Sequence, residues 1–260
     1  MRAISLKIQI KSAMDFKTNQ GNQMKIGVTG YKGRVGQILV QEISAHAFLE
    51  FIGGIEKDDD PLPVFEKADA IIDFTHPDAA VKHVALAAQT KTAMIIGTTG
   101  LTQEQESKLA EAAKHTAIMY AANMSVGVNM LLALVKQAAQ RLGPEWDIEI
   151  FETHHHHKID SPSGTALAIG KAAREGRGGV GDFVTDRTGK RNQGDIGYAV
   201  QRGGDIVGEH TATFFSQGER IELGHRATDR ALFAKGALRA VQWIKDKPAG
   251  LYSMQDVLDL

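Results

Sequence analysis

The chain has no cysteine, which removes disulfides, thiolate zinc sites, iron–sulfur ligation and cysteine nucleophiles together. It also lacks an excess of charge of either sign. Thirty Lys+Arg stand against 31 Asp+Glu, a formal charge of -1, so the electrostatic footprint of a nucleic-acid binder is missing. No uncharged apolar run approaches the roughly 18 residues needed to span a bilayer. What remains is ordinary: 260 residues, 43% hydrophobic and 23% charged, enough for one large domain or two modest ones. These limits point to a cytoplasmic protein whose partner is a small molecule, with no nucleic acid and no membrane.

Residues 1–23 read as an N-terminal extension. They carry Arg2, Lys7, Lys11 and Lys17 against Asp15, and Ile4, Leu6, Ile8 and Ile10 alternate with polar residues. That alternation breaks any signal-peptide core. From Met24 onward, short apolar runs alternate with helical patterns. Strands are expected at 25–30, 50–55, 70–74, 93–97 and 116–121, with Pro77 in the first turn of a helix and Thr102 and Gln105 forming a capping box. This rhythm predicts βαβ units and a parallel sheet with both faces covered. After Ser125 the texture changes to a long helix over 126–142, a strand over 146–152 and three strand-like runs at 196–201, 206–215 and 220–223. Those runs predict a mixed or antiparallel sheet, and 231–244 predicts a final amphipathic helix that returns to the first unit.

Gly30, Gly33 and Gly36 punctuate a strand-to-helix turn that also contains Tyr31, Lys32, Arg34 and Val35. Gly30 permits the sharp turn, Gly33 a close backbone approach to a pyrophosphate, and Gly36 close packing of helix on sheet. Glu56 follows Gly36 by 20 residues, where a carboxylate meets adenosine ribose hydroxyls. Lys57 is placed to meet a 2′-phosphate, which Asp58, Asp59 and Asp60 would repel. The reading is NADH or NADPH, with NAD slightly favoured. Gly97-Thr98-Thr99-Gly100 and Ala121-Ala122-Asn123-Met124-Ser125 end the fourth and fifth strands, where ligands of open parallel sheets sit. Small residues there admit a flat ring.

The most informative segment runs from Glu152 to Thr165 and holds four consecutive histidines, His154 to His157, followed by Lys158. Its internal position argues against a purification tag. No metal is expected, because neighbouring strand residues face opposite ways and the sequence offers no second cluster of ligands. Histidine exchanges protons near neutral pH and lysine supplies fixed positive charge. Pro162-Ser163-Gly164-Thr165 then opens a helix, whose free N–H groups and two hydroxyls suit a carboxylate. A substrate bearing carboxylates fits this set.

These motifs together, with Asn123 to Asn129 and Gly204 to Thr211, resemble the 4-hydroxy-tetrahydrodipicolinate reductase (dihydrodipicolinate reductase) family of the lysine pathway, from Met24 to Leu260. The chain departs from the usual signature at Val35, Met124, His156 and Ser161. The resemblance implies an α/β fold, a Rossmann-type parallel-sheet domain (24–125 and 236–260) with an inserted α+β substrate and oligomerisation domain (126–235). It implies reduction of a cyclic unsaturated dicarboxylate by NADH or NADPH in a homotetramer. It further implies catalysis by His154 and Lys158, and substrate contacts from His155, Lys158, Ser163, Gly164 and Thr165. Cofactor contacts would come from Gly30, Tyr31, Lys32, Gly33, Arg34, Val35, Glu56, Lys57, Gly97, Thr98, Thr99, Ala121, Ala122, Asn123 and Met124. Two readings compete: a dehydrogenase of amino or hydroxy acids on the same architecture, and a non-catalytic nucleotide sensor, which gives no reason for the 158–165 constellation. Two units around one cleft also suggest hinges near Ser125–Val126 and Ala234–Gly236.

Overall fold

The computed structural model describes residues 23–260. The reading of residues 1–23 therefore falls almost wholly outside the described part; Gln23 alone is seen, its amide donating to the Ala47 carbonyl. The first sheet contains β1 (Met24–Thr29), β2 (Leu49–Ile55), β3 (Ala70–Asp73), β4 (Ala93–Ile96), β5 (Ala117–Tyr120) and β11 (Gly250–Tyr252). All pairings are parallel, in the order β11-β5-β4-β3-β1-β2. Helices α1 (Arg34–Ser44), α7 (Ala231–Ile244) and α8 (Met254–Leu258) share one apolar cluster with the sheet, built on Ile26, Val28, Leu39, Ile72 and Val241. Helices α3 (Pro77–Thr90) and α4 (Gln103–Ala112), with the short α2 (Leu62–Phe65), share the other, built on Phe65, Ile71, Val84, Ile96 and Leu109. Near-continuous apolar strands are what two covered faces require.

The second sheet runs β10-β9-β6-β8-β7, from β6 (Asp147–His154), β7 (Phe183–Val184), β8 (Ile196–Arg202), β9 (Gly208–Ser216) and β10 (Glu219–Ala227). It is mixed: β6 pairs parallel with β8 and antiparallel with β9. Alternation along β6 sends Ile148 and Ile150 into a core completed by α5 (Val126–Leu142) and α6 (Gly164–Gly176), and leaves Phe151 exposed on the opposite face.

Pro77 opens α3 and the Thr102–Gln105 capping box opens α4, as the sequence predicts. Five features differ from the sequence reading, the first being that the run at 220–223 extends to Glu219–Ala227. The strand predicted for 146–152 continues to His154, because β9 and β8 both supply ladder partners to its end. The short helix α2 follows Asp58 to Pro61, where the sequence predicts no element. β7 is too short to show a period. The return of the chain brings a sixth strand, β11, as well as the expected helix. Among the described residues no helix is long and apolar enough to cross a membrane. Where the chain leaves the first sheet, the Met124 carbonyl presses on Gly236 of α7 so closely that a Cβ at 236 would lie 1.8 Å from it.

Candidate active site

Two clefts lie at the carboxyl ends of the parallel strands. The first, about 670 Å³, is lined by Gly30, Ile55, Glu56, Lys57, Thr75, His76, Lys82 and His83 among others. Gly30 has φ +72°, and its N–H donates to the Ile55 carbonyl at 2.8 Å, tying the turn to β2. The Lys32 amide donates to Glu56 Oε1 at 2.8 Å, so the carboxylate predicted for ribose stands against the glycine loop. Helix α1 begins without any side-chain cap, leaving its first N–H groups free toward the loop, as a diphosphate site requires. Gly36 works differently from the expectation. A Cβ there would strike the Gly30 oxygen (2.1 Å) and Tyr31 Cα (2.6 Å), so the close packing is between helix and loop rather than helix and sheet. Lys32, Gly33 and Arg34 are exposed at the turn, Val35 is half-buried, and the Tyr31 ring covers Gly54 of β2.

Beneath this cleft is a knot that the sequence did not reveal. Asp73 is fully buried at the end of β3. It accepts from Thr29 Oγ1 (2.7 Å), Thr98 Oγ1 (2.5 Å), Thr75 Oγ1 (2.9 Å) and His83 Nδ1 (2.7 Å). Burial alone would raise its carboxyl, but His83 and the threonine hydroxyls outweigh it and hold it below the ordinary range. Thr98 thus turns inward to brace β1, β3 and β4, and a Cβ on Gly97 would collide with the Phe74 ring.

The second cleft, about 700 Å³, brings both halves of the chain together. Thr99, Ala121, Ala122 and Asn123 line it from the first sheet, and His154, Lys158, Ser163, Gly164 and Thr165 from the second. Asn123 spans the two: its Nδ2 donates to Thr165 Oγ1 at 3.2 Å, and its Oδ1 accepts from the Ser125 amide. Met124, by contrast, is buried in the first core, and His155 lines neither cleft, its amide being bound to the Ile206 carbonyl. Ser163 caps α6 by accepting from the Ala166 amide. Lys158 Nζ donates to Asp160 Oδ1 at 2.7 Å. The Lys158 ammonium, with help from the Gly164 amide, holds Asp160 below the usual carboxylate range. Asp160 thus lies against a lysine and a helix start, the donors predicted for a substrate carboxylate.

His154 ends β6 with its side chain 9% exposed. The pleat puts Glu152 on the same face, and His210 of β9 lies directly across from Glu152. Glu152 Oε1 accepts from the Ser163 amide at 2.8 Å and from Arg202 Nη2 at 3.0 Å, while Oε2 meets His154 Nδ1. Burial would raise Glu152, but Arg202, the Ser163 amide and His154 hold it low. Burial pushes His154 down, assisted by Lys158 and Arg202 and opposed by Glu152. His210 packs edge-on against His154, its Nε2 meets Ser163 Oγ at 3.1 Å, and burial lowers it to about 4.

Glu152, His154 and His210 offer three ligand-type atoms within 4.8 Å of one another. The sequence shows no second cluster of ligands beside the histidine run, and strand register is what brings Glu152 and His210 to His154. The cluster's chemistry nevertheless suits protons better than a cation, because the Arg202 guanidinium already neutralises the carboxylate and shares Oε1 with the Ser163 amide, leaving Oε2 only in contact with His154. Glu152, Arg202, His210, Asp160 and Asn129 (which lines the second cleft) were given no role from sequence. The i, i+2 spacing of Glu152 and His154 was the available signal, had the strand been extended to 154.

The "Dihydrodipicolinate reductase, N-terminus" profile matches residues 24–124, and "Dihydrodipicolinate reductase, C-terminus" matches 127–258. The 4-hydroxy-tetrahydrodipicolinate reductase of Ruegeria pomeroyi is 47% identical over 90% of this chain and 98% of its own. The enzyme of that name from Rhizobium rhizogenes is 47% identical over 91% and 97%. Among solved structures, a dipicolinate-bound dihydrodipicolinate reductase from Paenisporosarcina sp. TG-14 shares the fold, with a TM-score of 0.76 at 21% identity over 90% of this chain and 98% of that one. The parallel-sheet half is accordingly a pyridine-nucleotide domain, and the chain belongs to the dihydrodipicolinate reductase family.

Proposed function

We propose that this chain reduces 4-hydroxy-tetrahydrodipicolinate to tetrahydrodipicolinate with NADH or NADPH, in the diaminopimelate route to lysine. One observation carries the site reading: the strand-end residues Thr99 and Ala121 to Asn123 face His154, Lys158 and Ser163 to Thr165 across a single cleft. Residues 24–125 with 236–260 form the nucleotide lobe in this reading, and 126–235 the substrate and assembly lobe. The uncapped start of α1, the Gly30–Val35 loop and Glu56 would hold the dinucleotide, with Lys57 beside them for a 2′-phosphate. Glu56 leans the preference toward NAD.

The substrate 4-hydroxyl leaves as water to give the conjugated dihydrodipicolinate ring, and the reduced nicotinamide, when bound, would supply hydride to the electron-poor carbon so formed. The protein does the rest. Lys158 and the N–H groups of Gly164 and Thr165 grip the substrate carboxylates and favour the electron-rich transition state. The Lys158–Asp160 pair opens to admit them. His154 delivers a proton to the atom where negative charge gathers, and the Asn123–Thr165 bond keeps the two lobes in register. The cytoplasm is the expected compartment. A homotetramer is expected through the outer face of the second sheet, where Phe151 and Phe215 are exposed.

The test supplies purified protein with enzymatically generated substrate and each reduced nucleotide in turn, following loss of nicotinamide absorbance. Turnover inhibited competitively by dipicolinate supports the reading. Turnover of amino or hydroxy acids instead would favour a general dehydrogenase, and nucleotide binding without turnover of any of these would indicate a sensor.

A further inference from the structure

Glu152 is a buried carboxylate of the second sheet to which the reaction above gives no duty. Its oxygens are divided. Oε1 accepts from a guanidinium and a backbone amide, and Oε2 meets His154 Nδ1. A carboxylate held in this way stays ionised and can only accept, so its contact with Nδ1 favours the tautomer that carries a proton there, although the pair lacks hydrogen-bond geometry. That other nitrogen, Nε2, lies beside Gly208, where a Cβ would stand only 2.8 Å from it. A glycine at 208 thus leaves the ring the space to hold this orientation.

We propose, resting on His154 as the proton donor, that Glu152 is the positioning residue of the reaction. It fixes the tautomer and direction of the imidazole and confines proton exchange to Nε2. Arg202, anchored on Glu152 from the neighbouring strand, holds the carboxylate in place beside the ring. The charged and titratable groups facing His154 are Glu152 from β6, Arg202 from β8, His210 from β9 with His225 of β10 behind it, and Lys158 from the following loop. Glu152 favours the imidazolium, while Arg202 and Lys158 disfavour it.

The experiment measures kcat and KM against pH for the full chain and for Glu152→Gln, Glu152→Asp, Arg202→Met and His154→Gln. As an acid, His154 is active when protonated, so activity falls as pH rises through its pKa. Glu152→Gln should lower kcat about 10²-fold, the lower part of the general-acid range, with KM for the nucleotide unchanged. The alkaline limb should move to lower pH, because the charge that favours the imidazolium is gone. Arg202→Met should move the same limb to higher pH, since a repelling cation has been removed. Glu152→Asp should recover part of kcat, and Glu152→Gln should cost nothing more in the His154→Gln background.

A merely structural Glu152 would give no partial rescue by Glu152→Asp and would add its own loss to that of His154→Gln. The proposal is overturned if Glu152→Gln keeps both kcat and limb, or if the two variants move the limb in one direction. Wild-type turnover in His154→Gln would instead remove His154 from the chemistry. An impaired His154→Gln beside an unimpaired Glu152→Gln would sink only the positioning role. If Glu152→Gln fails to fold, judged by nucleotide titration, Glu152→Asp decides: a lowered kcat with unchanged nucleotide KM supports the proposal and an unchanged kcat overturns it.

Discussion

Replacing Gly36 by alanine separates packing from ligand approach in the glycine loop. The new Cβ would lie 2.1 Å from the Gly30 oxygen and 2.8 Å from the Tyr31 carbonyl carbon, both backbone atoms without a rotamer to escape into. The Gly30 oxygen would have to retreat by about 1 Å merely to reach the 3.2 Å separation that a Cβ at Gly33 would have. Alanine gains about 1 kcal/mol of helix propensity over glycine, but overpacking typically costs about 1–3 kcal/mol and occasionally more. The overlap should win here, because Gly30 is anchored to Ile55 and held at positive φ. At roughly 2–4 °C per kcal/mol, thermal unfolding should fall by a few degrees. A loop displaced this far also misplaces an amide aimed at a charged phosphate, worth roughly 1.5–3 kcal/mol, so the nucleotide Kd should rise about 10- to 150-fold. Gly33→Ala meets only the 3.2 Å contact in an extended backbone that alanine tolerates. It should weaken nucleotide binding with a much smaller stability loss. Thermal unfolding and fluorescence titration with NADH measure both. Wild-type values for Gly36→Ala, or a larger stability loss in Gly33→Ala, would refute the argument.

His154→Gln should lower kcat by roughly 10²–10³, the part of the rate owed to a positioned acid, with nucleotide affinity unchanged on titration. Lys158→Ala should raise substrate KM and lower kcat together, and a change in nucleotide affinity alone would contradict its placement. Asp160→Asn removes an internal anion from Lys158, so substrate KM should fall in steady-state assays unless that ion pair is irrelevant to binding. His210 has a folded pKa of about 4 against an ordinary 6.5, so the unfolded chain takes up its proton first as pH falls. Stability present above pH 6.5 should drain toward pH 4 by about 3 kcal/mol, and His210→Gln should flatten that part of a melting-temperature profile.

Much of the site was legible because its chemistry is carried by short contiguous motifs. The start of α6 at Gly164, the strand-end glycines and the span of α5 all follow from local spacing, whereas the use of the Ser163 hydroxyl as a cap does not. The parallel sheet was legible for the same reason, since each βα unit repeats a local pattern. Arg202 and His210 were not legible as partners of Glu152, because strand register brings them across from residues roughly fifty positions earlier. Asp73 was hidden for a related reason. Three of its four partners come from β1, the end of β4 and α3, and an aspartate in an apolar strand shows nothing of them in sequence. β7 and β11, of two and three residues, are too brief for any period to register.

The contact between the Met124 carbonyl and Gly236 has a consequence far from either ligand. The outgoing chain and the returning helix are pinned at one point, so a swing of one lobe against the other would turn about a short, shared axis. A methyl group at position 236 would act as a wedge in that axis. In the proposed reading, such a wedge would alter the mouth of the second cleft from a position that lines neither cleft.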